Sequence, residues 1–222
     1  MYDIQDGWDE TTIFTDRFKM EIMKTLIVIW ILVFAGVSCT SYSQLPKNPE
    51  DVQPLKVGQT IPDVNIKTID GQQISLKVLI HKKPTILVFY RGGWCPYCNQ
   101  HLAEMADYEE KILEMGYQIV AVSPDSPENL QKTLDKNEIH YTLLSDSRGE
   151  LIKAMGIAYK ATFLYESIRS KGATGEKLDL LPVPSLFVAD QQGIIRYEYV
   201  NPDYKVRMNG EELMKVLSAL VK

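Results

Sequence analysis

Cysteine is scarce in this chain, with three residues among 222, at positions 39, 95 and 98. A four-cysteine zinc site is therefore excluded. Cys95 and Cys98 with His101, spaced C-x2-C-x2-H, form the one metal set that stays open, and it is short of a ligand. Haem attachment needs a histidine directly after the second cysteine of a C-x-x-C pair, and Asn99 stands there instead. Basic charge is short as well, 24 Lys and Arg against 29 Asp and Glu for a net charge of −5. The cations are dispersed, so no nucleic-acid footprint is present. No apolar stretch reaches the roughly 20 residues of a confident membrane helix. Internal repeats and a second domain pattern are also missing, and 45% apolar residues suffice for one ordinary core.

What apolar length there is lies near the N-terminus. Thr25–Val37, TLIVIWILVFAGV, follows Lys24 and gives way to SCTSYSQ, which matches a signal-peptide core. Met23 then reads as the true start, and the acidic, patternless residues 1–22 as a mis-called one; if they are translated, the apolar segment becomes internal and acts as an anchor. Two fates of residues 23–43 compete. Gly36-Val37-Ser38-Cys39 resembles the box in front of a lipidated bacterial cysteine, with Gly where Leu is usual, so membrane attachment through Cys39 is one. Cleavage after Ser41-Tyr42-Ser43, freeing a soluble protein that begins at Gln44, is the other. Both export the chain, to the periplasm or as a membrane-anchored lipoprotein, where disulfides persist. Residues 44–56, with three prolines, read as a linker, and residues 57–222 as the domain.

The chemistry is concentrated in TILVFYRGGWCPYCNQHLAE, Thr85–Glu104. The β-branched and aromatic run to Tyr90 predicts a buried strand, Gly92-Gly93 breaks it, and Cys95-Pro96-Tyr97-Cys98 opens a helical pattern. A helix N-terminus presents free N–H groups and a positive dipole end, both of which favour a thiolate. Pro96 suits the first helical position, and Cys98 one turn on is placed to meet Cys95. Arg91 adds positive charge and Trp94 shields one side. The pattern predicts an exposed, low-pKa sulfur at Cys95 and a covered partner at Cys98, the arrangement for thiol–disulfide exchange. A chance pair of buried cysteines would not account for the strand, the glycines and the proline.

Along the rest of the chain, Ile61–Thr68 and Gln72–Leu76 flank an Asp70-Gly71 hairpin signal, followed by an irregular segment through Lys83. One helix is expected from Cys95 to Gly116, then a strand at Tyr117–Ser123, a helix capped by Ser126, a strand at Tyr141–Leu144 and a helix over Gly149–Met155. The periodic signal fades from Ile157 to Leu181. There TFLYESIRSKGATGEKLD predicts one short helix and a mobile loop, either a partner-facing insert or a tolerated surface insertion. Val183–Ala189 and Ile194–Val200 read as paired strands and Glu211–Val221 as an amphipathic closing helix. His81, His140, Asp63 and Asp125 read as surface or turn residues. The pattern is α/β, a mixed central sheet with helices on both faces.

VGQTIPD, FYRGGWCPYC, AVSPDS, LLSD and VPSLFVADQQGIIRY, in that order, resemble the redoxin branch of the thioredoxin-like fold that includes the alkyl hydroperoxide reductase and thiol-specific antioxidant group. The resemblance covers Val57–Val221 and implies a central mixed β-sheet flanked by helices, with an N-terminal β-hairpin. Laid on a peroxiredoxin, the attacking cysteine falls on Cys98, the helper threonine on Cys95 and the catalytic arginine on Pro184. Two of three peroxide-holding groups are thus replaced, which leaves Cys98 a poor peroxide trap unless Arg91 substitutes.

Laid on a thioredoxin, Cys95 becomes the attacking thiolate, Cys98 the resolving thiol and Trp94 the residue before the motif. Val183-Pro184-Ser185 resembles the segment where a cis proline faces the site and the preceding backbone pairs with substrate. Pro96-Tyr97 is similar to the glutaredoxin dipeptide. The buried acid that assists thioredoxin is replaced by Phe89, leaving Glu104 or His101 for proton handling. The expected activity is an exported thiol–disulfide oxidoreductase acting on a disulfide-containing protein. The alternative is a peroxiredoxin-like peroxidase in which Cys98 meets a hydroperoxide and Cys95 resolves it. Both use a thiol electron donor and no cofactor. Binding sites fall on Trp94, Arg91, Val183 and Pro184.

Overall fold

The computed structural model describes Met23, residues 44–162 and residues 179–221, and its first sheet element is a hairpin. β1 (Asn65–Lys67) and β2 (Gln73–Ser75) pair antiparallel with Ile66 opposite Ile74. Gly71 at φ 80° makes the reversal that the Asp-Gly dipeptide predicts. The segment expected to be irregular is instead a short helix, α1 (Leu76–Ile80), started by the Ser75 side chain, which accepts from the Val78 N–H. Asp63 secures that turn by accepting from the Ser75 hydroxyl and the Lys77 N–H.

β3 (Thr85–Phe89) is buried along its whole length, as a strand covered on both faces must be. After it come α2 (Pro96–Asp107), α3 (Glu109–Glu114) and β4 (Gln118–Ser123). The single helix expected up to Gly116 is therefore two. The backbone leaves the helix at Tyr108 (φ −101°, ψ −2°), and Ile112 beyond the break reaches the core. Next are α4 (Pro127–Lys136), β5 (Thr142–Ser145) and α5 (Glu150–Ala154). Where the periodic signal fades, two short strands, β6 (Ala158–Lys160) and β7 (Leu180–Pro182), form a separate antiparallel pair. The short helix and mobile loop expected between them fall on 163–178, outside the described residues. So do residues 1–22 and 24–43, with the signal segment and Cys39.

β8 (Ser185–Ala189), β9 (Ile195–Val200) and α6 (Gly210–Leu220) close the domain. The capping box between Asn209 and Glu212 sets the start of α6. The main sheet runs β2-β1-β5-β4-β3-β8-β9. β3, β4 and β5 are parallel neighbours, while β8 lies antiparallel to β3 and β9 to β8. This is the expected mixed sheet with its hairpin and helices. The parallel strands all end on one edge, and there the chain turns from β3 into α2, the usual place for a site in such a sheet. Among the described residues no helix is long and apolar enough to cross a membrane.

Candidate active site

The turn between β3 and α2 is held from two sides. Asp125, buried just past β4, accepts from the Gly93 N–H at 2.7 Å and from the Ser123 hydroxyl at 3.1 Å. Asn99 on α2 donates to the Gly93 carbonyl at 2.8 Å. A side chain at Gly92 would run into the Trp94 indole and the Asp125 carboxylate, and one at Gly93 into the Thr133 hydroxyl on α4. The two glycines are therefore needed for close approach, and Gly92 also adopts φ 140°. Asp125, expected to be a plain turn residue, is the anchor of the loop that presents the thiols.

Cys95 is the N-cap of α2 and Pro96 its first residue, so both thiols sit on the helix's positive end. Cys95 and Cys98 are both reduced. The expectation of an exposed sulfur fails: Cys95 is 1% accessible and Cys98 fully buried. Both belong to one core cluster with Tyr90 and Leu102, and Trp94 packs at its edge. Their charges differ sharply all the same. Hydrogen bonding from the Cys98 thiol, helped by the Cys98 N–H and the charges of Arg91 and Arg207, brings the Cys95 pKa down to about 6 against the opposing effect of burial. Burial, and then the hydrogen bond given to Cys95, push the Cys98 thiol well up. At neutral pH the two sulfurs thus share one negative charge and one proton, with the charge on Cys95.

Arg91 is buried, its guanidinium carbon 5.0 Å from the Trp94 ring centre and 4.2 Å from that of Tyr204. Tyr204 in turn meets Tyr97 edge-on, with ring centres 5.7 Å apart. Tyr204 belongs to the connection between β9 and α6, for which the sequence offered no motif, and this connection lies along α2. His101 Nε2–H donates to the Met208 carbonyl at 3.0 Å, and Glu104 accepts from the Gly210 N–H at 2.8 Å. The two residues proposed for proton handling are thus engaged in fastening this segment. Burial, and secondarily the Arg207 charge, lower the His101 pKa to about 4, so its imidazole is neutral. Among the described residues no three His, Cys, Asp or Glu side chains converge as a metal site requires. From the same connection Arg207 Nη2 reaches to 3.7 Å from Cys98 Sγ. The sequence reading missed Arg207 and Tyr204 because nothing in a coil segment more than a hundred residues away marks them as neighbours of the thiols.

Val183 and Pro184 are buried between β7 and β8. The Val183 N–H donates to Ile157 at 2.8 Å, and its carbonyl accepts from the Ser185 hydroxyl at 2.6 Å. The expected cis bond is corrected: Val183–Pro184 is trans. The chain runs extended from β7 into β8 and needs no reversal there, so the intrinsically preferred isomer serves. His81 and His140 are exposed, as expected.

The family model described as the AhpC/TSA family matches residues 57–198. Peroxiredoxin Q of Populus jackii chloroplasts is 25% identical over 163 residues, 73% of this chain and 68% of that protein. Peroxiredoxin Bcp of Escherichia coli is 25% identical over 113 residues, 51% of this chain and 72% of that protein. Among solved structures, peroxidoxin BcpB of Mycobacterium tuberculosis superposes with a TM-score of 0.59 at 21% identity, covering 75% of this chain and 96% of that one. Reduced Prx3 of Vibrio vulnificus does so with a TM-score of 0.63 at 17% identity, covering 74% and 99%. The structural likenesses establish the thioredoxin-like fold.

Proposed function

For a chain that belongs to the AhpC/TSA family, we propose that the Cys95–Cys98 pair is the working centre of a thiol-dependent peroxidase that reduces a hydroperoxide. The observation that carries this reading is the pair itself, two free thiols sharing one proton on a helix N-terminus with a guanidinium against the Cys98 sulfur; the family resemblance assigns the attack to Cys98. It displaces disulfide exchange as the leading expectation, because the named relatives are peroxiredoxins and because Arg207 supplies charge that Pro184 cannot.

The steps follow from the shared proton. Cys98 passes its proton to Cys95 and attacks one peroxide oxygen; the S–O bond forms and the O–O bond breaks. The departing alkoxide takes the proton from Cys95, which becomes a thiolate again. That thiolate attacks the Cys98 sulfenic sulfur; the S–S bond forms, the S–O bond breaks, and the leaving hydroxide is protonated to water. The pair has then given two electrons to the peroxide, and an external dithiol restores it by exchange.

The test is peroxide consumption in the presence of a dithiol donor. Cys98→Ser should abolish it, whereas Cys95→Ser should still consume about one equivalent of peroxide and then stall as the sulfenic acid. Full turnover by Cys98→Ser would sink the assignment. A second reading, thiol–disulfide exchange with Cys95 as nucleophile, is favoured by the lowered pKa of that thiol; it predicts that Cys98→Ser traps partner proteins as mixed disulfides. We also propose, from Thr25–Val37 and the cysteine that follows it, that the chain is exported and lipidated at Cys39. A mature N-terminus at Gln44, with no lipid mass, would refute the lipid.

A further inference from the structure

We propose that Tyr204, on the strap between β9 and α6, is a specificity-determining residue that admits hydrogen peroxide to the thiol pair and shuts out bulky alkyl hydroperoxides. The sulfurs are covered although the turn that carries them is at the surface. Pro96 and Tyr97, which lie between the two cysteines, are exposed, Tyr97 by 40%, yet Cys95 is 1% accessible and Cys98 not at all. Part of the cover comes from a distant stretch of the chain, the strap of residues 201–209. Its Arg207 Nη2 stands 3.7 Å from Cys98 Sγ, and its Tyr204 ring lies against both Arg91 and Tyr97, one before and one after Cys95 in the sequence.

The strap is fastened at both ends. At one, the Asn201 N–H donates to the Pro184 carbonyl at 3.3 Å; at the other, the His101–Met208 and Glu104–Gly210 bonds tie it to α2. Between them the backbone turns on its own side chains, with Asn201 accepting from the Asp203 N–H at 2.9 Å and Asp203 from the Lys205 N–H at 3.0 Å. Tyr204 sits in the middle of this fixed frame, half-buried, and is held through its ring. The Arg91 guanidinium carbon is 4.2 Å from the ring centre, and the Tyr97 ring meets it edge-on at 5.7 Å. Ring contacts of this kind are individually weak, and a side chain turns far faster than a clamped segment lifts. Hydrogen peroxide carries nothing beyond its oxygens and hydrogens, so a swing of the ring opens enough room for it. An alkyl hydroperoxide with a bulky carbon substituent needs the strap itself to leave α2, against its bonds at both ends. The ring thus acts as a small door in a fixed lid.

This inference deepens the peroxidase reading and rests on it for the oxidant, while access to the sulfur can be measured without any peroxide. Reduced full-length protein is alkylated at pH 8 with iodoacetamide or with the bulky N-(1-pyrenyl)maleimide, and the label on Cys95 is located by peptide mass mapping. Reaction with hydrogen peroxide and with cumene hydroperoxide is timed in parallel. The pyrenyl-to-acetamide rate ratio of the wild-type protein should lie about tenfold or more below that of the urea-unfolded chain. Tyr204→Ala should raise this ratio, and the cumene-to-hydrogen-peroxide ratio with it, by about tenfold. Tyr204→Phe, which keeps the ring, should hold both ratios near the wild-type values. So should Tyr197→Ala, which removes another half-buried tyrosine from β9, outside the strap. Tyr204→Leu gives the same reading at smaller amplitude if the alanine variant does not fold. Unchanged ratios in folded Tyr204→Ala or Tyr204→Leu protein, an equal rise in Tyr197→Ala, or a wild-type labelling ratio equal to that of the unfolded chain overturns the proposal. A labelling ratio that rises while the peroxide ratio does not overturns it too. If wild-type protein ignores both peroxides while the labelling ratio still depends on Tyr204, the peroxidase reading falls and the ring remains the gate to the sulfur.

Discussion

Side chains alternate along β3, and the two sets enter different interiors. Leu87 and Phe89 pass into a cluster with Leu76, Leu144, Leu151, Ile152 and Phe187. Ile86, Val88 and Tyr90 pass into one that holds Cys95, Cys98, Tyr117 and Tyr141. Both are buried, and the two thiols lie in the second. The first face is a plain hydrophobic layer, each large side chain contributing about 1.5–3 kcal/mol by leaving water. On the second face the polar groups hold each other's geometry. The Tyr141 hydroxyl donates to the Leu102 carbonyl at 2.8 Å, and the loop carrying the thiols hangs on Asp125 and Asn99. Stability and reactivity are thus assigned to opposite sides of one strand.

That division can be broken or sharpened by substitution. The largest effect should come from the hydrocarbon face: Phe187→Ala removes the ring packed edge-on against Phe89 at 5.9 Å and should cost about 3–5 kcal/mol in denaturant unfolding. The Cys95 titration should stay in place; if it shifts, the two faces are coupled and the division is wrong.

Next is acid sensitivity from the reactive face. His101 is held near pKa 4 by burial, below its ordinary value of 6.5. The unfolded chain therefore binds the proton more readily. The stability contributed by neutral His101 is fully present above pH 6.5 and lost as pH falls toward 4, about 3 kcal/mol in all. Unfolding at pH 7 and pH 4.5 should show the loss, and His101→Gln should flatten it.

A smaller penalty is expected from Gly93→Ala, whose methyl group meets the Thr133 hydroxyl. Crowding should destabilise by about 1–3 kcal/mol, and Thr133→Ala in the same chain should restore much of it. A double-mutant cycle without coupling would show that the loop does not depend on this approach. The smallest effect is kinetic. The pKa of Cys95 near 6 predicts that its alkylation rate rises about tenfold from pH 5 to pH 7 and then levels off. A rate still climbing at pH 9 would place the charge elsewhere.

Much of this architecture was legible beforehand because it depends on local signals. Asp70-Gly71 marks a hairpin, β-branched runs mark the buried strands, and Pro96 after Cys95 marks a helix start. Short elements without periodicity escaped: α1, β6 and β7 span too few residues to show a pattern. The break at Tyr108 lies inside a continuous helical pattern. Of the site, the two thiols, Trp94 and Arg91 could be named from one stretch, and so could the direction of the pair's charge asymmetry, although the hydrogen bond between the sulfurs and the burial of Cys98 are its main causes. The exposure of Cys95 was misjudged, since burial depends on what other segments cover, and the Val183–Pro184 bond took the isomer its extended surroundings required.

Sequence alone therefore determined the pair of thiols, the strand-to-helix turn that holds it and the family to which the chain belongs, because these reside in neighbouring residues whose spacing carries the geometry. Only the tertiary structure decided what surrounds the sulfurs. Asp125, Tyr204 and Arg207 come from loops with no pattern of their own, and they reach Gly93, Arg91 and Cys98 because the sheet order and the clamp on α2 bring them within a few ångströms. Electrostatic interaction falls with distance through space and is indifferent to separation along the chain.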